Sequence, residues 1–282
     1  MVNISNKISL TKILCLTFFF GSLNAHATTE TSSLSSTQKI FEILLADEQP
    51  SAIAYDTLRQ MFVNSDTPEL KRESYAELKA QLELGKAFIS QTQYHDLMAR
   101  FYRDGQSPFF DIQLAEQYFI QASADNHPEA AYELAKLYHY NDYYLDYGAS
   151  LHFYEVSVKQ GFARMWRQSY PKWQKFYLDL VAAAEYQLGK MYELGQGIEY
   201  NASKALDYYH AAARKKHHNA TYRIAMIYKN GLQIQNNPSI EADPFAAIFW
   251  FEKLLHPSDP KLSDPEVLQQ LENLYQAIDS EH

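Results

Sequence analysis

The sequence predicts an all-α fold, a right-handed α-solenoid of antiparallel helix pairs with capping helices at its N- and C-terminal ends. Two observations lead to this prediction. A short apolar pattern centred on a tyrosine recurs four times, and each copy is followed by a second segment with helical periodicity. Neither helix of such a pair can bury its apolar face alone, so successive pairs must stack on one another.

The first helix of each repeat is defined by its central tyrosine. These tyrosines are Tyr102, Tyr138, Tyr192 and Tyr228. They lie 36, 54 and 36 residues apart, and apolar residues stand one and four positions before each, which is the spacing of one buried helix face. Three positions before the tyrosine the chain carries only small residues, namely Ala99, Ala135, Gly189 and Ala225. We expect a neighbouring helix to approach closely at this position.

Turn and capping residues predict where these helices begin and end. Three positions after each tyrosine stand Gly105, Asn141, Gly195 and Gly231. Glycine and asparagine tolerate the left-handed conformation that ends many helices, so we expect the first helices to end there in that conformation. Side chains that cap helix N-termini precede three of the second helices, and they are Asp111, Asn201 and Asp243.

The segments on either side of the repeats also have helical periodicity. Residues 28–91 predict a polar start followed by helices, which form either a divergent helix pair or an N-terminal cap. Residues 256–282 predict a C-terminal capping helix that begins at Pro265, with Ser263 or Asp264 as its N-cap.

The third copy, "AEYQLGKMYELGQGIEYNASKALDYYHAAARKK", resembles the Sel1-like repeat family, a relative of the tetratricopeptide repeat. The residues that match the family pattern are Ala184, Leu188, Gly189, Tyr192, Gly195, Gly197, Lys204, Ala205, Tyr208, Tyr209, Ala211 and Ala212. The other copies match less completely, and the resemblance covers residues 92–255. It implies a protein-interaction scaffold, and exported bacterial members look like adaptors for envelope assemblies.

The first 27 residues have the features of an export signal. Lys7 and Lys12 supply a positive start, an apolar run of 11 residues follows, and Ala25 and Ala27 are small residues at the positions that a signal peptidase recognises. The apolar run is short for a transmembrane helix, so we expect residues 1–27 to be a cleaved signal peptide and the protein to reach the periplasm of a Gram-negative bacterium. After cleavage no membrane span is expected.

Composition excludes several classes of function. The net charge is −9, which argues against non-specific binding to nucleic acids or to anionic membranes. Cys15 is the only cysteine and lies within the predicted signal, so the remaining chain has no disulfide, thiolate metal site or cysteine nucleophile. The partner predicted by these observations is another protein, associated with the envelope or the cell wall.

An insertion at about residues 163–182 separates the second repeat from the third. Aromatic and basic residues concentrate there, and these are the residue types enriched in protein-binding hot spots. Trp166, Tyr170 and Trp173 are therefore candidate partner-binding residues. The alternative is that a long helix beginning at Pro171 packs these aromatic residues onto the neighbouring helix pair.

A second candidate surface lies on the first helices, which are expected to line the concave face of the solenoid. Arg100, Lys136 and Lys190 each stand two positions before the central tyrosine of their repeat. This basic line could receive an acidic segment of a partner. It is equally consistent with a solvated stripe that binds nothing.

No catalytic, cofactor or metal site is predicted. His210, His217 and His218 share one helix face, but the basic residues 214–216 between them would repel a metal cation. These positive charges are instead typical of a helix C-terminus, where they complement the helix dipole. Motifs for zinc proteases, serine hydrolases, phosphate-binding loops and dinucleotide folds are all lacking.

Three functions are compatible with these features. The leading hypothesis is a non-enzymatic periplasmic scaffold or adaptor that binds envelope proteins. The alternative is an inhibitory or immunity-type binder of a periplasmic cell-wall enzyme or toxin, which would use the same scaffold. A third is an enzyme acting on cell-wall fragments or β-lactams, proposed by analogy with cysteine-rich relatives and weakened here by the shortage of cysteine.

Overall fold

A computed structural model describes most of the chain beyond the predicted signal. The described residues are 43, 49–63, 67–232, 240–255 and 264–280. The predicted signal peptide, residues 1–27, and the candidate N-cap Ser263 lie outside these ranges. The helices described here belong to one compact unit, Ala46–His282.

Eleven helices follow one another within the described ranges. The β-structure in these ranges is one isolated antiparallel bridge, Leu232–Ile240. The helices are α1 (Ser51–Phe62), α2 (Pro68–Gly85), α3 (Gln91–Arg103), α4 (Ile112–Ala124), α5 (Pro128–Tyr140), α6 (Tyr147–Arg167), α7 (Pro171–Leu194), α8 (Ala202–Arg214), α9 (His218–Asn230), α10 (Pro244–Glu252) and α11 (Pro265–Ser280). The predicted all-α class is confirmed.

Four helix pairs form the repeats: α3 with α4, α5 with α6, α7 with α8, and α9 with α10. Each pair packs closely within itself, and the second helix of each of the first three pairs then packs against the first helix of the next. The apolar residues one and four positions before each central tyrosine lie in the cores between these helices. Stacking therefore buries the faces that a single pair would leave in water.

The small residue of each first helix marks a close approach between the two helices of a pair. A Cβ atom placed on Gly189 would lie 2.6 Å from Cε1 of Tyr209 and 3.2 Å from the carbonyl oxygen of Ala205. Tyr209 is fully buried, so its ring has little room to move. The expected close approach is confirmed at this position, and the corresponding alanines of the other three repeats are also fully buried.

The helix ends follow the predicted positions but only partly the predicted conformation. Gly195 has φ 64° and ψ 34°, which is the expected left-handed conformation. Gly231 has a positive φ with an extended ψ, Asn141 is extended, and Gly105 lacks a positive φ, so the left-handed prediction is wrong at these three positions.

Side-chain hydrogen bonds explain the conformations at Asn141 and Gly105. Asn141 Oδ1 accepts the N–H of residue 143, and Asp104 Oδ1 accepts the N–H of residue 106, so each forms a local turn with negative φ.

The predicted N-caps of the second helices are confirmed. Asp111 accepts the backbone N–H of Leu114, and Asn201 accepts that of Lys204. Asp243 accepts two backbone N–H groups at the start of α10. Asp146, which was not singled out in the sequence, caps α6 in the same way, and Asp264 accepts an N–H in the first turn of α11. Each carboxylate or amide satisfies donors that have no partner within the helix.

The N-terminal helices α1 and α2 pack on each other and on α3. Asp104, at the end of α3, joins all three. Its Oδ2 atom lies 2.6 Å from Nε of Arg59 on α1 and accepts the hydroxyl of Tyr75 on α2 at 2.8 Å. The two helices thus add one more pair before the first repeat. At the other end, Val267 and Leu271 of α11 cover the apolar face of the last repeat around Phe251.

The insertion lengthens two helices and leaves the repeat itself unchanged. Helix α6 has 21 residues and α7 has 24, whereas the other helices of the first three repeats have 13. At 1.5 Å per residue the extra length is about 12 Å for α6 and about 16 Å for α7. Residues 163–182, called the arm below, therefore form an antiparallel helical hairpin that extends beyond the neighbouring helices.

Candidate protein-binding surface

The base of the arm is held by close packing and by a buried tyrosine. A Cβ atom on Gly161 would lie 2.6 Å from a methyl group of Val181, so α6 and α7 come together there. The ring of Tyr177 is buried, and its hydroxyl donates a hydrogen bond to Oε1 of Glu129 at 3.3 Å. The arm is thus anchored to α5 of the preceding repeat.

The tip of the arm presents aromatic side chains to solvent. Trp166 is 80% exposed at the end of α6, and Tyr170 is 52% exposed at the start of α7. Trp173 is partly covered, and Nζ of Lys172 lies 4.2 Å from the centre of its ring. The buried Gln168 closes the turn through a hydrogen bond from the side-chain amide of Gln174 to its carbonyl oxygen at 2.8 Å. An exposed tryptophan at the end of a braced hairpin is well placed to contact a partner.

The arm is also basic, in contrast to the acidic chain. Residues 163–182 contain four basic side chains and one acidic side chain, Asp179, which pairs with Lys175 on the same helix at 2.7 Å. Arg167 and Lys172 are exposed beside the tip aromatics. The surface around Trp166 therefore carries positive charge in a protein whose net charge is −9.

The structure corrects the prediction for Arg100. Its side chain is only 7% exposed, and its guanidinium donates to Asp96 at 2.7 Å and to Glu129 at 3.1 Å. Helix α1 packs against α3, and the first two N–H groups of α1, those of Ser51 and Ala52, bind Glu129 as well. Arg100 is therefore part of the protein interior and is not available to a partner.

The charged forms of Arg100 and Glu133 are stabilised by their neighbours against the effect of burial. Burial alone would lower the pKa of the Arg100 guanidinium, but the carboxylates of Asp96, Glu129 and Glu133 outweigh it and raise that pKa. Burial alone would raise the pKa of Glu133, but the cations of Arg103, Arg100 and Lys136 lower it to about 2. Arg100 and Glu133 are consequently both charged near neutral pH.

Lys136 and Lys190 remain accessible on the face formed by the first helices. Nζ of Lys136 pairs with Glu133 at 3.1 Å, so part of its charge is already neutralised. Lys190 lies 6.0 Å from the ring of Tyr140, which is itself 54% exposed. The structure does not bring either lysine to the arm tip, so the predicted residues form two separate surfaces.

Two exposed residues on this face were not predicted. Tyr140 and Leu194 follow Lys136 and Lys190 by four positions and are both more than half exposed. Four residues along a helix returns to the same side, so the spacing alone contained this signal. The accessible first-helix surface is thus a mixed aromatic and basic strip rather than a line of cations.

The chain belongs to the Sel1 repeat family. The family model matches residues 95–127, 128–162, 182–217 and 218–254, which together make up half of the chain. The gap between the second and third matches coincides with the arm. Sel1 repeats form a protein-interaction scaffold that is generally non-catalytic. No curated protein sequence matches the chain significantly.

One solved structure shows the same fold, and two others are less similar to the chain. A Sel1 repeat protein from Oxalobacter formigenes is 17% identical, covers 98% of this chain and 100% of its own, and has a TM-score of 0.51. A protective antigen of uropathogenic Escherichia coli with an SLR fold is 16% identical over 88% of this chain and 61% of its own, with a TM-score of 0.35. An immunity protein from Pseudomonas aeruginosa is 19% identical over 82% of this chain and 83% of its own, with a TM-score of 0.28. The first of these shows the solenoid fold.

Two other kinds of feature are absent from the part of the chain that the structure describes. No helix there is both long and apolar enough to cross a membrane. No cluster of three histidine, cysteine or acidic side chains there has the geometry to hold a metal ion.

Proposed function

We propose that this protein is a non-enzymatic periplasmic scaffold that binds an envelope or cell-wall protein through the tip of its arm. The observation that carries the proposal is the 80% exposure of Trp166 at the end of a braced helical hairpin. At this exposure the tryptophan buries little of its surface within the fold. On a partner it would bury one of the largest apolar surfaces available to a side chain.

The residue types at the tip favour a protein partner. Tryptophan, tyrosine and arginine are the side chains most enriched in binding hot spots, and Trp166, Tyr170 and Arg167 lie within five positions of one another. The arm is held at its base by Tyr177 and Val181, so little conformational entropy is lost when its tip binds.

Charge indicates what kind of surface the tip contacts. The exposed basic side chains of the arm attract an acidic region of the partner. The rest of the chain is acidic and repels such a region, so binding is directed to the arm. The strip formed by Lys136, Tyr140, Lys190 and Leu194 offers a second contact for a partner that extends from the arm onto the repeats. Trp173 would add apolar contact at the edge of the tip.

Sequence features typical of an exported protein support the proposed periplasmic location. The signal features of residues 1–27 and the lack of cysteine after them agree with a periplasmic protein that folds without disulfides. A partner that is a cell-wall enzyme or toxin would make the protein an inhibitor, and loss of the partner's activity in the complex would identify this case.

Trp166→Ala is expected to weaken capture of the partner at least tenfold, because truncation of a hot-spot tryptophan removes about 2 kcal/mol or more of binding free energy. The measurement is affinity purification of the tagged full-length protein after mild cross-linking in the bacterium that produces it. Tyr143→Ala is the matched control, since Tyr143 is also an 80% exposed aromatic residue but lies outside the arm. Equal recovery of the partner by the Trp166→Ala variant and the unaltered protein would contradict the proposal.

A further inference from the structure

A surface cavity of about 430 Å³ opens where α8, α9 and α10 meet, on a part of the repeats distinct from the arm. Three basic side chains from two of these helix ends line it, those of Arg214, Lys216 and Lys253. Trp250 forms one wall, and His218 lies at the start of α9. No acidic side chain is among its lining residues.

The positive charges of this cavity form no close ion pair within the described ranges. Arg214, Lys216 and Lys253 are exposed, and none of them forms an ion pair with another described residue. The neighbouring Lys215 differs, because its Nζ is 2.7 Å from the carboxylate of Glu185. In a protein with net charge −9, three cations around one cavity that has no carboxylate among its lining residues produce a local positive potential that attracts an anion.

The aromatic wall gives the cavity an apolar side as well. Trp250 is half-buried, and its ring lies 5.0 Å from that of His210 on one side and 4.3 Å from Nζ of Lys253. The indole is therefore held in place while part of its surface remains accessible. A flat apolar group could lie against the indole while an attached anionic group meets the lysine and arginine side chains.

The backbone at Lys216 is a further unusual feature. Lys216 has φ 65°, a left-handed conformation that costs a lysine about 1–2 kcal/mol. The equivalent turn after α4 has Asn126 at φ 64°, a residue type that adopts this conformation more readily. A lysine at this point places a positive charge beside the cavity at a cost in backbone energy. The sequence pattern indicates that the basic residues of this segment complement the helix dipole. That role does not require a lysine in the left-handed turn at position 216.

We propose that this cavity binds a carboxylate or phosphate group attached to an apolar, planar moiety. Its volume lies in the range of small-ligand sites. Arg214 can bind two oxygens of such an anion at once, Lys216 and Lys253 add charge, and Trp250 contacts the apolar part. The group belongs either to a free small molecule or to an acidic side chain beside an aromatic one in a peptide.

The test uses isothermal titration calorimetry on the full chain with defined probes. Phenyl phosphate carries both parts of the proposed ligand, and inorganic phosphate carries the charge alone. We expect phenyl phosphate to bind at least tenfold more tightly than inorganic phosphate. N-acetyl-Asp-Phe amide distinguishes the sources, because tighter binding of this peptide than of phenyl phosphate indicates a protein segment and weaker binding indicates a small molecule.

Lys253→Glu is expected to weaken binding of the better probe at least tenfold, and Arg214→Gln to weaken it similarly. Lys86→Glu is the matched control. It makes the same change of charge at an exposed lysine at the end of α2, outside both the cavity and the arm, and should leave probe binding unchanged. Circular dichroism establishes that each variant is folded. Absence of binding by all probes, or equal binding by the Lys253→Glu variant and the unaltered protein, would overturn the proposal.

Discussion

Replacing Glu129 by alanine is expected to destabilise the folded chain by about 3–5 kcal/mol, the range for removing one partner of a buried ion pair. Glu129 is 2% exposed and binds four groups from three other helices. Its carboxylate accepts the N–H groups of Ser51 and Ala52, a guanidinium N–H of Arg100 and the hydroxyl of Tyr177. The substitution leaves all four donors without this acceptor.

The loss is large because Glu129 connects parts of the chain that are far apart in sequence. It caps the N-terminus of α1 from 77 and 78 residues away and holds the base of the arm from 48 residues away. Negative charge at a helix N-terminus is favourable. The stabilisation from capping α1 therefore adds to the stabilisation from the ion pair with Arg100. We therefore expect α1 to separate from α3 before the remaining repeats unfold.

Urea unfolding followed by circular dichroism measures this effect. Glu155→Ala is the matched control, because Glu155 is an exposed glutamate on α6 and its removal should change stability by less than about 0.5 kcal/mol. Limited proteolysis reports separately on α1, which should be cleaved faster in the Glu129→Ala variant. A Glu129→Ala variant as stable as the Glu155→Ala control would show that the buried network contributes little.

Gly197→Ala is the second substitution with a large expected effect, a destabilisation of about 3 kcal/mol from backbone conformation and overlap together. Gly197 has φ 70°, which disfavours any residue with a Cβ atom. An added Cβ would also lie 2.5 Å from the carbonyl carbon of Tyr147 and 2.8 Å from the nitrogen of Gly148. These are backbone atoms at the start of α6, so they cannot move aside as the end of a side chain would.

Gly195→Ala separates the two contributions. Gly195 has a similar φ of 64°, but its nearest neighbours to an added Cβ are at 3.6 Å, an ordinary contact distance. This variant should lose only the conformational contribution of about 1–2 kcal/mol. The difference between the two variants in thermal or urea unfolding isolates the close approach of the loop to α6. Equal destabilisation by both substitutions would mean that the approach at Gly197 is readily relieved.

The repeats could be predicted from sequence because their signals are local and repeated. A tyrosine, a small residue three positions earlier and a capping side chain after the turn each act within one helix pair, and four copies in phase reinforce one another. The left-handed conformations at Gly105 and Asn141 were wrongly predicted because the carboxylate of Asp104 and the amide of Asn141 stabilise a different turn. Side-chain hydrogen bonds of this kind compete with the conformation that a glycine pattern favours.

The candidate surfaces were only partly predictable. Trp166 and Tyr170 lie in an insertion, and a departure from the repeat is visible in the sequence. Arg100 occupies the same repeat position as Lys136, yet α1 covers it. The contacts that hold α1 there join residues 49 and 78 positions apart, which no local pattern records. The cavity at Trp250 likewise joins α8 to α10, and its basic residues taken singly look like ordinary helix ends.

The most direct test of partner binding by the arm is site-specific photocross-linking in the living bacterium. A photoreactive phenylalanine analogue is placed at position 166 in one variant and at position 143 in the other, both 80% exposed in the natural protein. We predict a discrete cross-linked product with one envelope protein from position 166 and no such product from position 143. Products that are absent from both positions, or the same from both, would contradict a binding role for the arm.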